Sequence, residues 1–171
     1  VWDWGGGFGL WAYARFAEPN SNENMMNSTL TLERLSDADI RSKQPELVAF
    51  LHEHLGEFGD PTDQISACLD YVLHPAKGGA VFTASIAGQL AGAVVLNCTG
   101  MGGYIPENIL VYIAVDAAHR GQGIGAQLMK EALAGVEGAV ALHVEPHNPA
   151  KRLYERLGFE NKYLEMRYAK S

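Results

Sequence analysis

Cysteine is scarce in this 171-residue chain: Cys68 and Cys98 are the whole complement. Neither belongs to a C-x-x-C pair, and no Cys/His grouping has zinc-ligand spacing, so no metal is expected. The expectation is two buried free thiols in a reducing cytoplasm. The six histidines are scattered; His52, His54 and His74 read as helix-surface or helix-end residues. Long hydrophobic runs are also missing, none approaching the roughly 20 residues that cross a bilayer. Basic residues are in the minority, 13 Lys plus Arg against 20 Asp plus Glu, for a net charge of −7. That balance argues against nucleic acid and anionic membranes as partners. The hydrophobic and charged fractions, 47% and 19%, are those of an ordinary globular domain, and the length suits one domain. No internal repeat or low-complexity tract interrupts it.

Residues 1–28 differ from the rest. VWDWGGGFGLWAYARF is rich in Gly and aromatics, and EPNSNENMMNS is polar and linker-like. The stretch lacks the basic start and continuous apolar core of a secretory signal. Met25 or Met26 could be a natural start, which would make the front part an added extension. The expectation is an arm that docks on its own domain or on a neighbouring chain, followed by one folded domain over 29–171.

From Thr29 the pattern becomes regular. Thr29 to Leu35 alternates as a strand. Ser36 or Asp37 can cap a helix, Pro45 can open a further helical stretch through Leu55, and Asp60-Pro61 can start the next helix. Ala80–Ile86 and Leu90–Asn97 read as strands of a hairpin turning at Ala87-Gly88-Gln89. Ile109–Val115 is nearly continuously apolar, as a central strand buried on both faces would be. A helix follows, with Ile124, Leu128 and Ala132 on one face. Ala139–Val144 reads as a strand. Asn148-Pro149 starts a helix that Gly158 stops, and Tyr163–Tyr168 reads as a closing strand. The order β-α-α-β-β-β-α-β-α-β predicts an α/β fold, one mixed sheet with helices on both faces.

The chemistry concentrates between Arg120 and Ala126, RGQGIGA. Three glycines at alternate positions run from a strand into a helix. Glycine lets a ligand approach the backbone closely, and the first N–H groups of a helix have no intrahelical partner. With the helix dipole, this suits a phosphate or pyrophosphate. The segment also matches the dinucleotide fingerprint G-x-G-x-x-G/A. Context excludes that reading: too little chain follows Gly125 for a doubly wound domain, and Asp116 to Arg120 separate the strand from the glycines.

Arg120-x-x-Gly123-x-Gly125, together with Asn148, Ala150, Tyr154, Gly158 and Phe159 at N-x-A-x-x-x-Y-x-x-x-G-F spacing, resembles the GCN5-related N-acetyltransferase (GNAT) family over about residues 29–169. The resemblance implies a GNAT-type acyl-coenzyme A N-acyltransferase fold, with acetyl-coenzyme A as cosubstrate and direct transfer to an amine. Gly121, Gln122, Gly123, Ile124, Gly125 and Ala126 would cradle the pyrophosphate, with Arg120 adding charge and Asn148 touching the cofactor or only capping its helix. A bulged, splayed strand would let the backbone of Ile113 and Val115 pair with the pantetheine arm. Tyr154 has the family's general-acid position. Counted from Arg120, the family's best-known carboxylate position falls on Ile109, so the base is taken as the nearest carboxylate, Glu107. Glu57, Asp60, Tyr104, Tyr112 and Glu145 are comparable choices. The acceptor would be a small-molecule or peptide amine, in a pocket built by residues 45–75 and the 98–107 loop. The acidic character of 45–75 favours a cationic one, and a homodimer is compatible. The competing reading is a non-catalytic acyl-coenzyme A sensor on the same fold.

Overall fold

The computed structural model describes residues 29–170; the expectations for the arm at 1–28 lie outside them. Nine regular elements follow one another: β1 (Leu30–Arg34), α1 (Asp37–Leu55), α2 (Thr62–Val72), β2 (Gly79–Ile86), β3 (Gln89–Cys98), β4 (Asn108–Val115), α3 (Ile124–Ala134), β5 (Val140–Leu142) and α4 (Lys151–Arg156). Single 3-10 turns follow α1 and β4. The strands lie in the order β1-β2-β3-β4-β5. Neighbours are antiparallel except β4 and β5, which run parallel. This is the expected mixed sheet with helices on both faces.

Each face of the sheet carries its own core. On one face α1 and α2 bury Ile40, Leu47, Leu51, Ile65 and Leu69 against Val81, Val95 and Tyr112. On the other, α3 and α4 bury Leu128, Met129 and Tyr154 against Phe82, Val94 and Leu110. A bulge in β4 decides which of its side chains joins which core. Val95 pairs with Tyr112 and Leu96 with Leu110, which leaves Val111 without a partner on β3. A strand's side chains alternate with period two, so one extra residue inverts the alternation. Leu110 accordingly belongs to the α3 face, whereas Tyr112 and Ala114 belong to the α1 face.

Three expectations need correction. Pro45 does not open a new helix; it lies inside one continuous α1. Proline forfeits one intrahelical bond there, and burial of Leu47, Phe50 and Leu51 in the next turns offsets the loss. The strand expected over 139–144 pairs only at Val140–Leu142, because β4 and β5 separate beyond that point. The closing strand at Tyr163–Tyr168 does not form: no strand among the described residues pairs with it, and Leu164, Met166 and Tyr168 are almost fully exposed. Glu165 instead pairs with its neighbour Arg167 and reaches His143 just past β5.

α1 begins at a capping box. Ser36 Oγ accepts from Asp39 N at 3.2 Å, and the Asp39 carboxylate accepts from Ser36 N at 3.3 Å. Ser36→Ala should therefore cost about 1 kcal/mol, seen as a lower urea midpoint at unchanged slope. An unchanged midpoint would show that tertiary packing alone sets where α1 starts.

Candidate functional site

β4 and β5 pair only through Asn108–Val140, Ile109–Ala141 and Leu110–Leu142. Beyond Leu110, residues 111–115 have no strand beside them on that edge, so Ile113 and Val115 line an open gap between two parallel strands. The Asn108 amide fixes the closed end. Its Nδ2 donates to Glu137 O at 2.7 Å, and its backbone N donates to Ala139 O at 3.0 Å.

The glycine turn stands at the open end. Gly121 and Gly123 take positive φ, +77° and +81°. These left-handed values favour glycine, and a Cβ at Gly121 would meet nothing within 4 Å. Gly125 serves packing instead: a Cβ there would reach Val115 Cγ2 at 3.4 Å and Leu153 Cδ2 at 3.6 Å, so α3, β4 and α4 converge on it. Among the described residues, the backbone N–H groups of 121–125 donate to no protein group. Five consecutive free donors at a helix start form an anion cradle. The cradle is one residue shorter than the sequence suggested, because Ala126 N already donates to Gly123 O at 3.1 Å.

Arg120 braces this turn. Its Nε donates to Val115 O at 3.0 Å and its Nη2 to His54 O at 2.6 Å, which ties the end of β4 to the last turn of α1. Gln122 bonds back to Ala118 O at 3.4 Å. Ile124 is buried, fixing the first turn of α3 on the sheet. The side chains of Arg120 and Ile124 thus shape the turn, and the free N–H groups are left for a ligand.

Tyr154 approaches from α4. Asn148 Oδ1 accepts from Ala150 N at 2.9 Å and starts the helix. Gly158, at φ +92°, ends it. Gly158 N donates to Glu155 O and Phe159 N to Tyr154 O, the bond pair of a Schellman stop. The Phe159 ring packs edge-on against Tyr154 with centroids 5.9 Å apart. The Y-x-x-x-G-F spacing therefore has a local cause: glycine turns the chain and phenylalanine clamps the tyrosine. Tyr154 is 7% exposed, and its hydroxyl makes no hydrogen bond to any described residue. Burial pushes its phenol up to about 12.

Glu107 is not brought to this place. It precedes β4 at the end opposite the glycine turn, and its carboxylate accepts from Ala139 N at 2.7 Å and Gly103 N at 3.3 Å. Those N–H groups hold its carboxyl below the usual range. Tyr104 and the rest of the 98–107 loop lie at that same end, with Thr99 bonded to Pro106 O, so the loop does not join the glycine turn. Glu145 faces His147 at 3.6 Å in the loop after β5. The expected thiols are free; Cys68 is buried, whereas Cys98 is partly exposed. No helix among the described residues is long and apolar enough to cross a membrane.

A family model described as an acetyltransferase (GNAT) domain matches residues 77–161, which takes in the glycine turn, the gap and Tyr154. The chain belongs to the GNAT family. Solved structures show the GNAT fold at low identity. One is an aminoglycoside N-acetyltransferase, AAC(6')-Iy, in complex with CoA: TM-score 0.64, 19% identity, covering 84% of this chain and 95% of that one. Another is an aminoglycoside acetyltransferase, meta-AAC0020, from an uncultured soil metagenomic sample: TM-score 0.58, 19% identity, 85% and 99% coverage. A third is a transcriptional regulator from Bacillus halodurans: TM-score 0.60, 18% identity, 83% and 100% coverage. No curated protein sequence gives a significant match. Within the GNAT domain Tyr154 has a testable signature. Replacing it with Phe should leave the amplitude of tyrosinate absorbance between pH 9 and 11 unchanged, because a phenol shifted to about 12 stays protonated there. Loss of one tyrosine's worth of amplitude near pH 10 would show that Tyr154 is solvated.

Proposed function

We propose that the protein transfers an acetyl group from acetyl-coenzyme A to a primary amine by direct attack. The observation that carries this reading is the row of five free N–H groups at the mouth of a gap between two parallel strands. A pyrophosphate on residues 121–125 leaves the rest of a coenzyme A molecule, an extended chain with two amide groups, facing the backbone of Ile113 and Val115. On the edge away from β3 those positions have no strand beside them, so the pantetheine arm can pair there as an added strand would. Support comes from the GNAT relative solved with CoA, and from the same enzyme in complex with a bisubstrate analogue, CoA-S-monomethyl-acetylneamine.

In this reading Tyr154 donates its free hydroxyl to the departing sulfur. A phenol at about 12 is a weak acid. It stays neutral at working pH and stabilises the thiolate as a hydrogen-bond donor, with the proton following as charge builds. That need for a donor favours an enzyme over a sensor, which would require none. The acceptor must shed a proton, since at an ammonium pKa near 10 only about one amine in a thousand is neutral at pH 7. Aminoglycoside enzymes among the structural relatives point to a small, cationic amine as the acceptor class. Soluble cytoplasmic placement and a domain spanning 29–171 complete the proposal.

Two variants separate binding from chemistry. Asparagine tolerates the left-handed region better than other residues with a side chain, so Gly123→Asn should stay folded while its side chain fills the cradle. Coenzyme A affinity by calorimetry should fall at least about 10-fold; normal affinity would place the pyrophosphate elsewhere. Tyr154→Phe should lower amine-dependent thiol release by about 10²-fold or more, with coenzyme A affinity little changed. An unchanged rate, with chemistry limiting, would make Tyr154 a packing residue.

A further inference from the structure

The gap between β4 and β5 opens to both faces of the sheet. Tyr154 flanks it from the α3 and α4 side. Tyr112 lies two residues past the last β4–β5 pair, about 7 Å along the strand, and the bulge at Val111 turns it to the opposite face. There its hydroxyl donates to Asp60 Oδ2 at 2.7 Å.

Asp60 belongs to the connector between α1 and α2, residues 56–61. That connector reaches across the gap. At one side Tyr112 holds it to β4; at the other, the Phe58 ring packs tilted against His147 of the loop after β5, ring centroids 5.6 Å apart. His52 Nδ1 lies 3.3 Å from Asp60 O, so α1 fixes the backbone of the residue while β4 fixes its carboxylate. Asp60 nevertheless stays exposed. Tyr112 occupies one carboxylate oxygen, and no described residue bonds Oδ1. No Lys or Arg pairs with Asp60 among the described residues. A solvated loop carboxylate has no need of two tethers. One that must present an unpaired oxygen at a fixed point does, because pre-ordering lowers the entropic cost of binding.

We propose that Asp60, held in place by Tyr112, docks the ammonium group of a cationic acceptor at the face of the gap opposite Tyr154. This rests on the acetyl-transfer reading and names its acceptor side. Thioester and amine then meet through the gap from opposite faces of the sheet, the first along β4 from the glycine turn and the second under the connector. Glu57 and Asp63 flank Asp60 in sequence and add negative charge without such tethers. Tyr112 is a positioning residue, and burial together with the Asp60 carboxylate raises its phenol far above the ordinary value, so it remains a donor at any working pH.

The test is calorimetric titration of spermidine and of neamine into protein saturated with coenzyme A, which needs no turnover. Asp60→Asn keeps an acceptor for the Tyr112 hydroxyl and removes only the charge. It should weaken binding of both amines about 10-fold or more with coenzyme A affinity unchanged, and it should remove most of the salt dependence. Tyr112→Phe keeps the charge and loses the tether, and should cause a smaller loss that remains salt-dependent. Wild-type affinity in Asp60→Asn would overturn the proposal and leave the carboxylate as a partner for Tyr112 alone. Failure of the wild type to bind either amine would overturn it as well. Thiol release by the wild type over an amine panel reports separately on acetyl transfer, so a working enzyme with an indifferent Asp60 is distinguishable from a protein that transfers nothing.

Discussion

β4 and β5 hold each other over three residue pairs and then part. Parallel strands with apolar flanks would ordinarily pair along their length, since each unpaired backbone group inside a protein costs free energy. Here the parting is built in from both ends. Asn108 pins the closed end through Glu137 O and Ala139 O. At the open end, Gly125 admits the close approach of α3 to Val115 and Leu153, and Arg120 locks Val115 O to α1. The glycine turn, the tyrosine on α4 and the connector carrying Asp60 all take their meaning from this opening.

Much of this was legible because it is local. The glycine turn needs only its own residues: two positive φ angles followed by a helix. Tyr154 was legible for the same reason, since Gly158 and Phe159 hold it within one helical stop. The hairpin at Ala87-Gly88 forms where it was expected, with both residues at positive φ.

The remainder depends on distant parts of the chain. Tyr112 and Asp60 meet across 52 positions of sequence, and nothing local to either marks the other. The short pairing of β5 is an absence of contact, which the apolar run 139–144 does not signal. Glu107 was the nearest carboxylate in sequence, but the two N–H groups that claim it come from the turn at Gly103 and from Ala139 beyond α3. Alternation over Tyr163–Tyr168 is a real strand signal, yet a strand also needs an edge to pair with, and β5 offers only three residues. Ala126 shows the limit on a finer scale: the sequence marks a free helix start, and the bond to Gly123 O decides where the free donors stop.

The two faces of the sheet divide the work. Packing of α3 and α4 supplies the anion cradle and the free hydroxyl of a largely buried tyrosine on one side, whereas α1, α2 and their connector bring a tethered carboxylate to the other. The central claim, that coenzyme A lies along the glycine turn and in the gap, is tested most directly by backbone amide chemical shifts during a coenzyme A titration. The amides of residues 121–125 should shift most, with those of 111–115 following and those around Glu107 little changed. Unmoved amides at 121–125 in the presence of saturating coenzyme A would contradict the account.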